Sequence, residues 1–261
     1  MLMKLSEGYA KLKQRVEMIA ETSKPFDFLS PKKENALPYA YPCDNYVENV
    51  LSLQLVKKEL KKLLDNYYKS QDITISNIGC KVNAASFPKL QTVLNDCSNT
   101  LEMKKRPDVF ISDRLKGINA LALQINEDFA ILISPKSLFH LSEKELKFMI
   151  GHELSHVSQG NLICHTANGI LCDFKKKNEV VGTIVADLVE LPLKEWCRAC
   201  EYTADRAGYL CCGDMNAVIS LFNKIGMENS RSGYYSYTEI YRDHPYIKNR
   251  IDRIKEFAES L

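Results

Sequence analysis

The feature that most constrains this chain of 261 residues is the stretch His152-Glu-Leu-Ser-His156. On an α-helix, residues four apart lie on one face. The two imidazoles therefore point the same way and can hold one metal ion between them. Neutral imidazoles with an open coordination position suit zinc, on which water becomes acidic enough to lose a proton near pH ~7. Glu153, one residue on, stands where a general base would take that proton. The sequence also builds the helix this requires. Ser142 and Glu145 form a capping box at its start, each side chain serving the other's main-chain N–H. Leu146, Met149, Ile150 and Leu154 give it an apolar face, and Gly160 marks its end.

A catalytic zinc site needs a third protein ligand. The stretch Glu201-Tyr-Thr-Ala-Asp205-Arg-Ala-Gly208 offers two carboxylates one helical turn apart. Glu201 is the candidate ligand. Asp205 is the candidate acceptor for the second ring N–H of a ligand histidine, a bond that fixes the tautomer and the ring orientation. An acidic surface helix would have no use for Ala204, Ala207 and Gly208, whereas two closely packed helices need small residues there. The expected stoichiometry is one zinc per chain. Cys197-Arg-Ala-Cys200 has a zinc-ligand spacing, but on the helix of Glu201 it cannot form a knuckle.

Composition narrows the partners. Lys and Arg number 35 against 33 Asp and Glu, a net charge of +2, so no nucleic-acid partner is expected. The opening Met-Leu-Met-Lys-Leu-Ser-Glu turns charged too early for a secretory signal. No stretch free of Asp, Glu, Lys and Arg supplies the ~20 apolar residues of a spanning helix, so no membrane span and a cytoplasmic location are expected. Nine cysteines at irregular spacing read as reduced, packed thiols.

Along the chain, apolar periodicity predicts amphipathic helices within 3–20 and 45–68, separated by a proline-rich linker over 24–43. Together they form an expected N-terminal helical extension, 1–70, ahead of a core, 71–261. In the core the pattern predicts strands at 73–78, 108–111, 119–123 and 129–133, and helices at 87–103, 142–159 and 215–225. A long helix is expected across much of 178–212, interrupted at Pro192, then a loop over 227–243 and a last helix opened by Pro245. The fold class is α+β, mostly helical with a small mixed sheet.

These residues resemble, in order, the hallmarks of the HtpX-like zinc metallopeptidases, relatives of the type I CAAX prenyl proteases. Asn119-Ala120 is similar to that family's edge-strand motif, and Leu141-Ser-Glu-Lys-Glu-Leu146 to its lead-in to the metal helix. His152 to His156 is its metal motif. Arg198, Glu201, Asp205, Arg206 and Gly208 follow its Arg-x-x-Glu-x-x-x-Asp-Arg-x-Gly pattern, and His244-Pro245 with Arg250 its late His-Pro motif. The Tyr41-Pro42 loop also resembles a soluble bacterial subgroup.

The resemblance implies a zincin-like fold of the gluzincin type, with the sheet over the active-site helix. It implies a peptide or unfolded-protein substrate lying as an extended strand along Asn119, Ala120, Leu121 and Ala122 and cut at an internal bond. It further implies that His244 or a nearby tyrosine stabilises the oxyanion, and that Arg250 or Arg198 ties a carboxylate such as Asp205. The alternative is an inactive or latent zinc domain that binds extended peptides without cutting them. Glu153 argues for the enzyme, because a binder needs no base there.

Overall fold

The computed structural model describes residues 37–42, 77–125, 128–159, 191–231 and 245–261. The expected helices over 3–20 and 45–68, the end of the expected extension at 70, and the stretch 178–190 lie outside the described residues. The chain divides into two compact units, Met1–Pro38 and Tyr39–Leu261. The second carries all the elements below.

In chain order these are β1 (Cys80–Lys81), α1 (Pro88–Thr100), β2 (Asp108–Ile111), β3 (Ala120–Ile125), β4 (Asp128–Ile133), α2 (Pro135–His140), α3 (Glu143–Gln159), α4 (Leu191–Cys212), α5 (Met215–Arg231) and α6 (Ile247–Glu259). The sheet order is β1-β2-β4-β3. β2 runs parallel to β4, while β1 with β2 and β3 with β4 are antiparallel. Among the described residues the sheet is therefore small and mixed, with β1 and β3 as its outer strands. Helix α3 packs on β3 and β4, and against α1, α4 and α5.

Local chemistry explains most boundaries. The capping box forms as expected: Ser142 N–H donates to Glu145 Oε2 at 2.7 Å, and Glu145 N–H to Ser142 Oγ at 3.3 Å. Pro88 occupies the first turn of α1, where the missing N–H costs nothing. Helix α4 begins at Leu191, so Pro192 sits in its first turn, where proline is tolerated; the earlier part of the helix expected across 178–212 lies outside the described residues. Helix α5 runs on to Arg231, past the expected end at 225. Of the strand expected at 73–78, residues 73–76 lie outside the described residues and Asn77 and Ile78 lie in a turn; the first strand among the described residues is Cys80–Lys81. Helix α2 was not read from the sequence, although Ser134-Pro135 announces it. Ser134 caps the helix by accepting from Ser137 N–H at 3.1 Å, with Pro135 at the first helical position.

Burial holds α3 in the middle. Ala130, Ile131, Leu132 and Ile133 of β4 are all buried, as are Ile150 and Leu154 of α3. A second cluster joins Phe148 and Met149 of α3 to Val218, Leu221 and Phe222 of α5 and Ile254 of α6. Each such side chain contributes ~1.5–3 kcal/mol on leaving water.

Helices α3 and α4 touch main chain to main chain. A Cβ on Gly151 would lie 2.7 Å from Cys211 Sγ and 3.1 Å from the Ala207 carbonyl oxygen. A Cβ on Gly208 would lie 2.7 Å from the Phe148 carbonyl oxygen. Ala204 and Ala207 are fully buried in the same contact. The small residues of α4 thus let it approach the helix that carries His152 and His156.

Candidate metal centre

The crossing of α3 and α4 brings three donor groups together. His156 Nε2 lies 3.2 Å from His152 Nε2 and 3.2 Å from Glu201 Oε1, and His152 Nε2 lies 3.7 Å from Glu201 Oε1. Two ligands each ~2.0–2.1 Å from a tetrahedral zinc are about 3.3 Å apart, so this triangle has the right size. His152, His156 and Glu201 are 8%, 4% and 0% exposed. Among the described residues they are the one group of three or more His, Cys, Asp or Glu able to hold a metal ion. Two imidazoles with one carboxylate fit zinc, which takes nitrogen and oxygen donors and leaves a fourth position open. Cys197 and Cys200 are buried on α4 and form no disulfide.

A layer of charge stands behind the donors. Asp205 Oδ1 lies 3.1 Å from His152 Nδ1, the ring nitrogen facing away from the other donors. Arg250, from α6, grips the same carboxylate through Nε at 2.8 Å and Nη2 at 2.5 Å. Its Nη2 also lies 3.6 Å from Glu201 Oε2, and its guanidinium stacks 4.7 Å from the centre of the Phe222 ring. Burial alone would raise the Asp205 pKa, but the Arg250 charge outweighs it and holds the carboxyl below its ordinary range. Arg250 is correspondingly held above its ordinary value by Asp205 and Glu201 despite burial. His152 feels burial in the opposite sense to its carboxylate neighbours. Desolvation lowers its pKa, yet Glu201 and Asp205 win and raise it to about 10. Without an ion, therefore, the His152 ring holds a proton that a metal must displace.

Glu153 points to the sheet rather than to the other carboxylates. Its Oε2 accepts the Ala122 main-chain N–H at 2.8 Å. This bond also fixes the parity of β3. The Asn119 carbonyl accepts from Ser134 N–H at 3.0 Å, extending the pairing with β4 by one residue. Asn119, Leu121 and Leu123 therefore turn their main-chain groups towards β4, and Ala120, Ala122 and Gln124 turn theirs away from it. Of the four expected substrate contacts, Ala120 and Ala122 turn their main-chain groups away from β4, the Ala122 N–H being taken by Glu153, while Asn119 and Leu121 turn theirs towards it. Asn119 is instead anchored by α2: its N–H donates to Ser137 Oγ at 3.0 Å, and Ser137 Oγ donates to its carbonyl at 3.1 Å.

The remaining expected residues divide. Arg250 is the guanidinium that binds Asp205. Arg198 lies half-buried on α4, one turn before Glu201. His244 lies outside the described residues, immediately before Pro245. The sequence reading missed the Ala122 to Glu153 hydrogen bond and the α2 serines. A main-chain donor has no side-chain signature, but Ser134-Pro-Lys-Ser137 was a legible helix start.

The sequence profile of peptidase family M48 matches residues 84–258 of this chain. A plastoglobule-localized metallopeptidase 48 from Arabidopsis thaliana chloroplasts is 26% identical over 199 residues, covering 74% of this chain and 57% of that protein. A protease HtpX homolog from Ralstonia pickettii is 27% identical over 168 residues, covering 56% of this chain and 58% of its own length. Another from Methylibium petroleiphilum is 25% identical over 171 residues, with 56% and 59% covered. The chain thus spans less than two thirds of the length of these relatives. Among the described residues, no helix is long and apolar enough to cross a membrane.

Proposed function

The chain belongs to peptidase family M48, and on that premise we propose that it is a zinc-dependent endopeptidase that cuts internal bonds of extended polypeptides, with Glu153 as general base. The observation that carries this reading is the buried triangle of His152 Nε2, His156 Nε2 and Glu201 Oε1 beside Glu153. These three residues would hold one zinc ion. Bound there, zinc supplies Lewis-acid polarisation of the scissile carbonyl and acidifies water.

The chain's own groups do the rest. Asp205 accepts from His152 Nδ1, which leaves Nε2 free of its proton and turned to the metal. Arg250 keeps Asp205 ionised and stands by Glu201 Oε2, so that Oε1 is the oxygen turned to the histidines. Glu153 Oε2 is held by Ala122, which leaves Oε1 to take a proton from water and pass it to the departing amine nitrogen. The outward main-chain groups of Ala120 and the outward carbonyl of Ala122, whose N–H is taken by Glu153, suit an added substrate strand, because strand addition binds through the main chain and asks little of substrate side chains.

The test is to incubate zinc-loaded protein with unfolded casein, with and without a chelator. Fragments that disappear with the chelator and with Glu153→Gln support the reading. Casein bound but left whole by zinc-loaded protein would favour a peptide-binding domain instead.

A further inference from the structure

A short segment from the start of the second unit touches each of the three helices that build the centre. Tyr39 is buried, with its hydroxyl facing Ser155 and Ser158 of α3, on either side of His156 and Val157. The Ala40 carbonyl accepts from Arg206 Nη1 at 2.9 Å, and the Tyr41 N–H donates to Thr203 Oγ1 at 2.9 Å. Both partners are on α4. The Arg206 guanidinium is sandwiched between the rings of Tyr41 and Phe257, 4.9 Å from each centre, and Phe257 belongs to α6. Tyr41 packs on Tyr202 at 4.9 Å between ring centres, and Arg253 of α6 lies 6.0 Å from the Tyr41 ring.

The placement of these contacts on α4 is informative. Relative to Glu201, Thr203 and Arg206 are turned by about 200° and about 140° around the helix axis. They lie on the side away from the donors. On the inner side, at the level of the donors, the helix presents the carboxylates of Glu201 and Asp205, both fully buried. Ala204 is buried between these two carboxylates, and the glycine contact at Gly151 and Gly208 lies further along the helix. The Tyr39–Tyr41 segment lies against the opposite side of α4 at the level of the donors.

We propose that Tyr39–Tyr41 is a clasp that holds α4 against α3, and that Arg206, Thr203 and Tyr41 are positioning residues which keep Glu201 within reach of the ion. None of them touches the donors. The inference rests on the zinc reading above and adds a determinant of how firmly the ion is kept.

The experiment follows zinc release from the loaded full-length chain into excess colorimetric chelator, beside thermal unfolding of the metal-free chain. Tyr41→Leu and Arg206→Lys remove the ring or the planar fork, and each is expected to release zinc roughly tenfold faster, the low end of the range for residues behind a ligand. Tyr41→Phe keeps the ring and the main-chain N–H, and should return release to the wild-type rate. Thr203→Val is nearly isosteric, removes the acceptor of Tyr41 N–H, and gives the reading if a bulkier change fails to fold. If the substitutions lower the unfolding temperature of the metal-free chain while zinc release stays at the wild-type rate, the segment is packing only and the clasp is overturned. A wild-type chain that takes up no zinc overturns the metal reading itself, a result distinct from the first.

Discussion

The main-chain N–H of Ala122 donates to Glu153 Oε2 at 2.8 Å, so strand β3 and the helix of the metal motif are joined by a hydrogen bond. On the proposed reading, a substrate strand added at β3 would lie beside the residue that orients Glu153, and binding and proton transfer would share one frame.

Glu153→Gln keeps the shape and can still accept from Ala122, but it cannot take a proton. Zinc content should match the parent chain, and turnover should fall by about 10²–10⁴-fold or more. Elemental analysis and peptide cleavage measured on one preparation decide it. Zinc lost along with activity would make Glu153 a structural residue or a ligand.

Asp205→Asn preserves volume and weakens the acceptor for His152. Zinc affinity or activity should drop by about 10–100-fold with the fold intact. Asp205→Ala should be worse, since it strands the buried Arg250 guanidinium, and breaking such a pair costs about 3–5 kcal/mol. Chelator competition and chemical unfolding separate the two effects. Equal behaviour of both variants would mean that Arg250 finds another partner.

The His152 proton gives a pH prediction with a definite sign. Its folded pKa, about 10, lies above the ordinary 6.5. In the metal-free chain its contribution to stability is therefore fully present below 6.5 and is lost as pH rises through about 10. Zinc needs the neutral ring, so binding between these values should expel close to one proton from this site. Titration calorimetry in buffers of different ionisation enthalpy counts it. No buffer dependence at pH 8 would show the ring already neutral.

Gly208→Ala puts a methyl 2.7 Å from the Phe148 carbonyl oxygen, a main-chain atom that cannot swing aside. Overpacking of this kind costs about 1–3 kcal/mol, and it pushes α4 away from the histidines. Urea unfolding of the metal-free chain should show the loss, and zinc affinity should fall with it. A silent substitution would mean that the two helices can separate without consequence.

Proline scanning reads the parity of β3. Ala120→Pro removes an edge-facing N–H at the first residue of a strand, where proline is tolerated. A peptide inhibitor should bind more weakly while zinc stays bound. Leu121→Pro strikes the ladder to β4 instead and should destabilise the fold. If Ala120→Pro leaves inhibitor binding untouched, substrate does not pair along this edge.

Much of this was legible in the sequence because it is local. The capping box at Ser142 and Glu145, the four-residue spacing of His152 and His156, and the same spacing of Glu201 and Asp205 are all set by one turn of helix. The strands at 108–111 and 129–133 declared themselves by apolar runs. What stayed hidden depends on partners distant in the chain. The grip of Arg250 on Asp205, a contact across 45 residues, was expected only through the family resemblance, because nothing in the local pattern near Arg250 announces it. Nothing near Arg206 says that its guanidinium will lie between Tyr41 and Phe257. Pro192 was ambiguous because proline has opposite meanings in the first turn of a helix and in its middle, and only the helix start at Leu191 places it in the first turn.

The pairing of β3 with β4 also governs which changes in chain length the protein can absorb. Both the side chains and the main-chain groups of a strand alternate with period two. A slip of one residue against β4 would turn the Ala122 N–H inward, put the main-chain N–H of Leu121 at Glu153 in its place, and exchange buried Ala122 for Leu121, which is 40% exposed. Insertions or deletions that displace β3 by an odd number of residues should therefore abolish function even where the loop has room for them. Those that leave Leu121 opposite Leu132 should pass unnoticed.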